Sequence, residues 1–447
     1  MSLTAQLAGI IRQTTFESLA AADVSIAKRL IADGVAVAVA GSGEAAPRMF
    51  AAYVREQGGR ELCPVWGFGF RTAPVAAAYA NAVSMHVLDF EPMSNPSTHA
   101  VSPTVPVAFA LALRDGCDGR ELLTACAKGF EVQGRLLAAV DHRRESSKFH
   151  APGVVGPFGA AVAAAHLLQL DATQLNYALA IAASRSGALR ANIGHGVKCT
   201  HCGNAAAGGL EAALLAARGL TANADIIAHE EGFTAAFFPK GIDREMLLGY
   251  GKPFRFADPG MAIKFYPSKY PTHFAISAAL EVRQAIGDPR DIAAVRIITP
   301  PMPDVVRPAP ASGLEGKFSF EYTVACALLD GRVGIASFHD ERRFRADMAV
   351  LLPKIAVTAD SSIPTAFNRM RIAVEVSLRD GTVCRATCER PPGFWGAPLD
   401  VDRHREKVRD CLMTRLDAAR AARVVQLLES LEELPAEGVR ELSLLLE

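Results

Sequence analysis

From residue 3 to about residue 250, apolar side chains recur at three- and four-residue spacing, and this long helical rhythm restricts the possible folds more than any other feature. It is clearest over 24–37, 72–87, 103–113, 121–140 and 160–170. Alanine dominates many of these faces, which lets neighbouring helices approach closely. Gly208-Gly209 inside 204–217 points the same way, because glycine lowers helix propensity and needs a packing reason. Gly219 stands where a C-terminal glycine stop belongs.

The character changes near Phe254. The segment 291–300 (DIAAVRIITP) reads as a strand, β-branched and closed by a proline. Residues 370–390 alternate on both sides of Asp380-Gly381, a favoured hairpin turn. Helices are expected over 272–286 and 320–329, with Thr272 and Ser319 as candidate caps, and from Leu399 onward the chain is charged and helical again. A length of 447 residues suits two cores. The expected fold is therefore mostly α with two domains. Residues 1–255 and 395–447 form a large all-helical domain, and 256–394 form a smaller α+β domain.

Lys+Arg and Asp+Glu both total 47, so the net charge is zero. That balance argues against a nucleic-acid surface or a polybasic membrane anchor, and an anionic ligand must be held by local cations. The N-terminus lacks the basic flank and apolar run of a signal peptide. The most apolar stretch, 154–170, contains His166 and reads as a buried helix. A cytosolic protein is expected. Nine irregularly spaced cysteines suggest reduced thiols, and Cys199-Thr-His-Cys202 has no second pair nearby to complete a zinc site.

Dinucleotide, Walker, nucleophile-elbow and HExxH motifs are missing. What remains is polar clusters between apolar helices. The loop from His86 through Asp89 to His99 is broken by two prolines, and Ser102-Pro103 look like an N-cap and first residue of the next helix. It reads equally as a site or as a capping loop with a salt-bridged aspartate. Lys148-Phe-His150 precedes a glycine-rich helix start, where a lone histidine is often structural. Lys198 and His201 precede a helix N-terminus, an end that attracts anions, although a solvated loop lysine fits too. Lys264 lies in IKFYPSKYPTH, and Tyr322 falls in the first turn after Ser319.

Taken in order, Asp89-Phe with His99 ten residues on, FHAPGVVGPFGAA, VKCTHCGNAAAGGLEAA, EEGF, IKFYPSKYPTH and FSFEYTVACALLDGRVG resemble the MmgE/PrpD family. The resemblance spans roughly residues 5 to 390. It implies a helical domain with a smaller α+β domain, a homodimer, and no metal or organic cofactor. The family includes 2-methylcitrate dehydratase, cis-aconitate decarboxylase and iminodisuccinate epimerase. Its site positions fall on Asp89, His99, His150, Lys198, Lys264 and Tyr322. Many members read Asp-Phe-Asp-Asp where this chain has Asp89-Phe-Glu91-Pro92. That departure, the compact length and a general likeness favour an epimerase of a dicarboxylic amino-acid derivative such as iminodisuccinate. A tricarboxylate dehydratase or decarboxylase is the alternative within the family, and a helical binding protein without catalysis is the alternative outside it.

All three chemistries pass through a carbanion beside a carboxylate, which fixed positive charge in a dry site stabilises. Lys198 and Lys264 are expected to bind the carboxylates of a small polyacid. His99, oriented by Asp89, and His150 or Tyr322 are expected to move the proton.

Overall fold

The computed structural model describes residues 1–140, 148–397 and 399–447. By its contacts the chain divides into two units. One comprises Met1–Val87, Glu91–Ile263 and Trp395–Glu447, and the other Leu88–Phe90 and Lys264–Phe394.

The first unit is a stack of apolar helices. Helices Ala21–Gly41, Pro74–Val87, Val101–Asp115, Gly119–Val140, Ala151–Leu167 and Thr200–Ala216 follow the expected rhythm, most with longer ends. Helix Ala151–Leu167 is buried almost throughout, and among the described residues no helix is long and apolar enough to cross a membrane. The small residues have the anticipated purpose. A Cβ on Gly209 would fall 2.4 Å from Ala160 Cβ and from the Pro157 carbonyl, so helices Ala151–Leu167 and Thr200–Ala216 touch through their backbones. Helix Val401–Leu412 is fastened to Ala21–Gly41 by a buried charge cluster, with Lys407 Nζ 2.8 and 2.9 Å from the Asp33 carboxylate oxygens and His404 Nε2 3.1 Å from one of them.

This unit is not all-helical. Cys63–Val65 pairs antiparallel with Phe70–Thr72, and Met93–Ser94 with Met261–Ala262. The second pairing, with Phe256 edge-on to Phe130, ties residues 256–263 into the helical unit. The second unit therefore begins at Lys264, and the boundary expected at 256 shifts accordingly.

The second unit is built on a four-stranded sheet ordered Ile355–Ala359, Ile292–Thr299, Ile372–Leu378, Val383–Cys388. The expected strand and hairpin are both present. Gly381 has φ 89°, a conformation glycine adopts without strain, in the turn joining the hairpin strands. Ile355–Ala359, which sequence patterning missed, pairs parallel with Ile292–Thr299. Helices Tyr270–Ala285 and Phe320–Asp330 pack on each other and on the strands. Ser319 caps Phe320–Asp330 by accepting the Tyr322 N–H. Thr272 is no cap, because its helix already begins at Tyr270.

Candidate active site

Close helix packing assembles the polar cluster of the helical unit. Gly156 lies so near helix Thr200–Ala216 that a Cβ there would be 2.9 Å from Ala205 Cβ. The two helix starts therefore lie side by side. His150 stands immediately before one and His201 is second in the other, and their Nδ1 atoms are 3.0 Å apart. A short turn, Gly196–Cys199, leads into Thr200–Ala216 and carries Lys198, which is 7% exposed.

His86 ends helix Pro74–Val87, which packs against Thr200–Ala216 where Gly203 admits Val83 and Tyr79. The chain then returns through Glu91, and both side chains are fully buried. One carboxylate oxygen, Glu91 Oε1, gathers three neighbours. His86 Nδ1 is at 2.5 Å, the Ser102 hydroxyl donates at 2.9 Å, and His99 Nδ1 lies at 3.0 Å. Ser102 was expected to cap the next helix. That helix starts at Val101 instead, so Ser102 lies inside it and its hydroxyl serves Glu91. The imidazoles are in contact through their rings. His86 meets His99 edge-on at 4.7 Å and stacks with His150 at 5.6 Å, while His150 and His201 are 5.2 Å apart.

Burial and Lys198 determine the electrostatics. Burial, reinforced by the Lys198 ammonium, pushes His86 down to about 3 and His201 down to about 4. The same two causes hold His150 well below the usual imidazole range. Burial pushes the Glu91 carboxyl up, but the attraction of His99 and His86 outweighs it, and Glu91 sits well below the usual carboxylate range. Glu91 is thus ionised and can only accept hydrogen bonds. The hydrogen of neutral His86 is therefore on Nδ1, and its Nε2 lone pair points away from the acid.

The six expected positions divide between the units. His99, His150 and Lys198 belong to the helical unit, and Asp89, Lys264 and Tyr322 to the other. A carboxylate oxygen of Glu91 lies 3.0 Å from His99 Nδ1, a neighbour the expectation did not include. Asp89 accepts from Lys264. Lys264 Nζ lies 2.7 Å from Asp89 Oδ1 and 2.8 Å from the Asp89 carbonyl, and Lys264 is only 1% exposed. The Tyr322 hydroxyl donates to the Ser337 carbonyl at 2.5 Å, and burial pushes its phenol pKa up.

Sequence reasoning missed Glu91, His86, Ser102 and His201 as members of the cluster. His86 and Glu91 flank Asp89 in the first polar loop, and a spacing of five residues across a helix end was the available signal.

Among the described residues, His86, Glu91 and His99 each offer one ligand atom within 4.8 Å of the others, although the sequence held no coherent metal set. Their arrangement suits hydrogen bonding better than coordination. The carboxylate oxygen nearest both Nδ1 atoms already accepts from Ser102, and Lys198 adds positive charge that would repel a cation. All nine cysteines are free. The Cys199 thiol donates to the Gly196 carbonyl, and burial raises the Cys202 pKa well above its usual value, which disfavours a reactive thiolate.

Comparison with known proteins agrees with this architecture. The MmgE/PrpD N-terminal domain matches residues 5–245 and the MmgE/PrpD C-terminal domain matches 266–433. The chain is 31% identical over 446 residues to cis-aconitate decarboxylase of Mus musculus, covering 97% of this chain and 91% of that protein. It is 32% identical over 419 residues to cis-aconitate decarboxylase of Homo sapiens, covering 91% and 87%. Cis-aconitate decarboxylase of Aspergillus terreus is 24% identical over 437 residues, covering 91% and 89%. These relatives are lyases and overturn the expected isomerase. Glu91, taken as a departure, lies at the centre of the cluster. By matches to both domains and by this identity over nearly its full length, the chain belongs to the MmgE/PrpD family.

Proposed function

We propose that the protein is a lyase that decarboxylates a small unsaturated tricarboxylate of the cis-aconitate type. The observation that carries this reading is the cluster of buried His86, His99, His201, Glu91 and Lys198 with half-buried His150. The identity of the relatives supports it. Loss of CO₂ from the CH₂–carboxylate arm breaks a C–C bond. The released pair forms a new C=C bond, and the old π pair moves onto the carbon beside another carboxylate. That carbanion takes one proton, giving an itaconate-type diacid. The step needs no base to begin, only charge stabilisation and a proton donor.

Lys198 is the cation beside the imidazoles and binds a substrate carboxylate in this reading. His99, held against Glu91, supplies the proton, and the His150–His201 pair flanks it. Asp89 and Lys264 act as a pair, each neutralising the other. Tyr322 is given no proton to move, because its hydroxyl is held by Ser337. The homodimer implied by the family is part of the same proposal, and sedimentation should return about twice the 47.4 kDa chain mass.

The test is proton NMR of cis-aconitate in D₂O with the purified protein. We expect CO₂ release and a product carrying one deuterium per turnover, with turnover abolished by His99→Gln. Unchanged cis-aconitate would defeat the proposal, and an alkene formed from 2-methylcitrate instead would mark a dehydratase.

A further inference from the structure

Two imidazoles that face each other by nitrogen must share a hydrogen. His150 Nδ1 and His201 Nδ1 lie 3.0 Å apart, so one carries the hydrogen and the other offers its lone pair. Burial and the Lys198 ammonium hold both rings below the usual imidazole range, so both are neutral near neutral pH. A neutral imidazole has a single N–H. The two rings are therefore opposite tautomers: the donor has a bare Nε2, and the acceptor carries its own hydrogen on Nε2.

The surrounding backbone keeps the rings face to face. The His150 N–H donates to the Ala188 carbonyl at 2.9 Å, and the Gly187 N–H to the Gly153 carbonyl at 3.0 Å. A Cβ on Gly153 would lie only 2.4 Å from Ala188 Cβ, so the segment after His150 is pressed against 187–188. His201 is 5% exposed and is the second residue of helix Thr200–Ala216, which Gly156 and Gly209 bring against Ala151–Leu167.

We propose that His201 is a positioning residue that donates its Nδ1–H to His150 Nδ1 and so keeps the hydrogen of His150 on Nε2, where it hydrogen-bonds a substrate carboxylate. His201 does not touch substrate; it acts through His150. The proposal rests on the lyase reading for the substrate, and the charge of that substrate selects the tautomer. A bare Nε2 on His150 would repel a carboxylate, whereas Nε2–H attracts one. Acid–base histidines are commonly oriented by a carboxylate. At position 201 a carboxylate would set a negative charge behind the ring that must receive a tricarboxylate. A neutral imidazole fixes the same tautomer without that charge. The pair also accepts no more than one extra proton, because two Nδ1–H groups cannot face each other at this distance.

The spectroscopic arm of the test does not depend on the substrate. ¹⁵N NMR of the histidine rings of the whole chain at neutral pH should show His150 with hydrogen on Nε2 and His201 with hydrogen on Nδ1. His201→Asn offers a side-chain N–H in place of Nδ1–H and should leave His150 as the Nε2–H form, while His201→Leu should release it to a mixture of tautomers. With cis-aconitate, His201→Leu should lower kcat/KM about tenfold or more, the consequence of a mis-set tautomer. His201→Asn should stay within about threefold of the wild type, since the donor is kept. Wild-type His150 bearing its hydrogen on Nδ1 would overturn the proposal, and that measurement needs no variant to fold. So would His201→Leu with the wild-type His150 tautomer and kcat/KM, or an equal loss of rate in both variants with His150 still in the Nε2–H form, which marks a packing role. The expected spectra without turnover of cis-aconitate would reject the lyase reading and leave the tautomer assignment standing.

Discussion

Replacing Lys264 with methionine tests the pairing of Asp89 and Lys264 directly. The structure makes this lysine part of a buried pair, so its loss should cost stability. Lys264 is 1% exposed and Asp89 4% exposed, and Lys264 Nζ donates to Asp89 Oδ1 at 2.7 Å, to the Asp89 carbonyl at 2.8 Å and to the Ser268 carbonyl at 3.3 Å. Methionine fills similar space but removes the ammonium that meets the Asp89 carboxylate and the donor from two carbonyls. Breaking one side of such a pair costs about 3–5 kcal/mol. Asp89→Asn is the matched partner variant. Asp89 has φ 52°, and asparagine tolerates that left-handed backbone as well as aspartate does, so the substitution tests the charge alone. The double variant removes both charges together and should be more stable than the sum of the single losses by about 2 kcal/mol. Urea denaturation of the four proteins, with kcat/KM measured alongside, completes the cycle. A Lys264→Met protein within about 1 kcal/mol of wild type would refute the argument, and so would additive single and double variants.

Three further outcomes follow from the helical unit. Lys198→Met should reduce kcat/KM about a hundredfold, the scale of losing one charge-stabilising group, and ring NMR should show His86 and His201 titrating higher, since Lys198 depresses both; unchanged kinetics would remove it as the carboxylate clamp. Stability should fall as the pH drops below about 6.5, because His86 and His201 remain neutral in the fold down to about 3 and about 4 while the unfolded chain takes up those protons. Each contributes a slope of about 1.4 kcal/mol per pH unit until its folded value is reached, and flat urea midpoints between pH 6.5 and 4.5 would contradict the burial of these rings. Prolonged EDTA treatment should leave decarboxylation unchanged, whereas zinc or iron near one per chain, lost together with activity, would show that His86, Glu91 and His99 coordinate a metal.

How much was legible in the sequence depended on the range of the signal. Local periodicity gave the helices and the hairpin around Gly381, because spacing alone decides which face is buried. Strand Ile355–Ala359 escaped because its partner, Ile292–Thr299, lies some sixty residues earlier and nothing local marks a parallel edge. Caps were legible where the side chain has no better partner. Ser319 does accept its helix N–H, whereas the Ser102 hydroxyl is drawn to the buried charge of Glu91. The same competition explains why Glu91 was missed. Asp89 and Glu91 are two residues apart, and one dimension does not show which charges each acid meets. Asp89 takes the buried ammonium of Lys264, whose own burial would otherwise be prohibitive. Glu91, one methylene longer and following the left-handed backbone at Asp89, meets the imidazoles of His86 and His99. A Glu-Pro pair that looked like a weakened version of an Asp-Asp motif thus places a carboxylate against His86 and His99. Acids so close in sequence can be told apart only by locating the cations they neutralise.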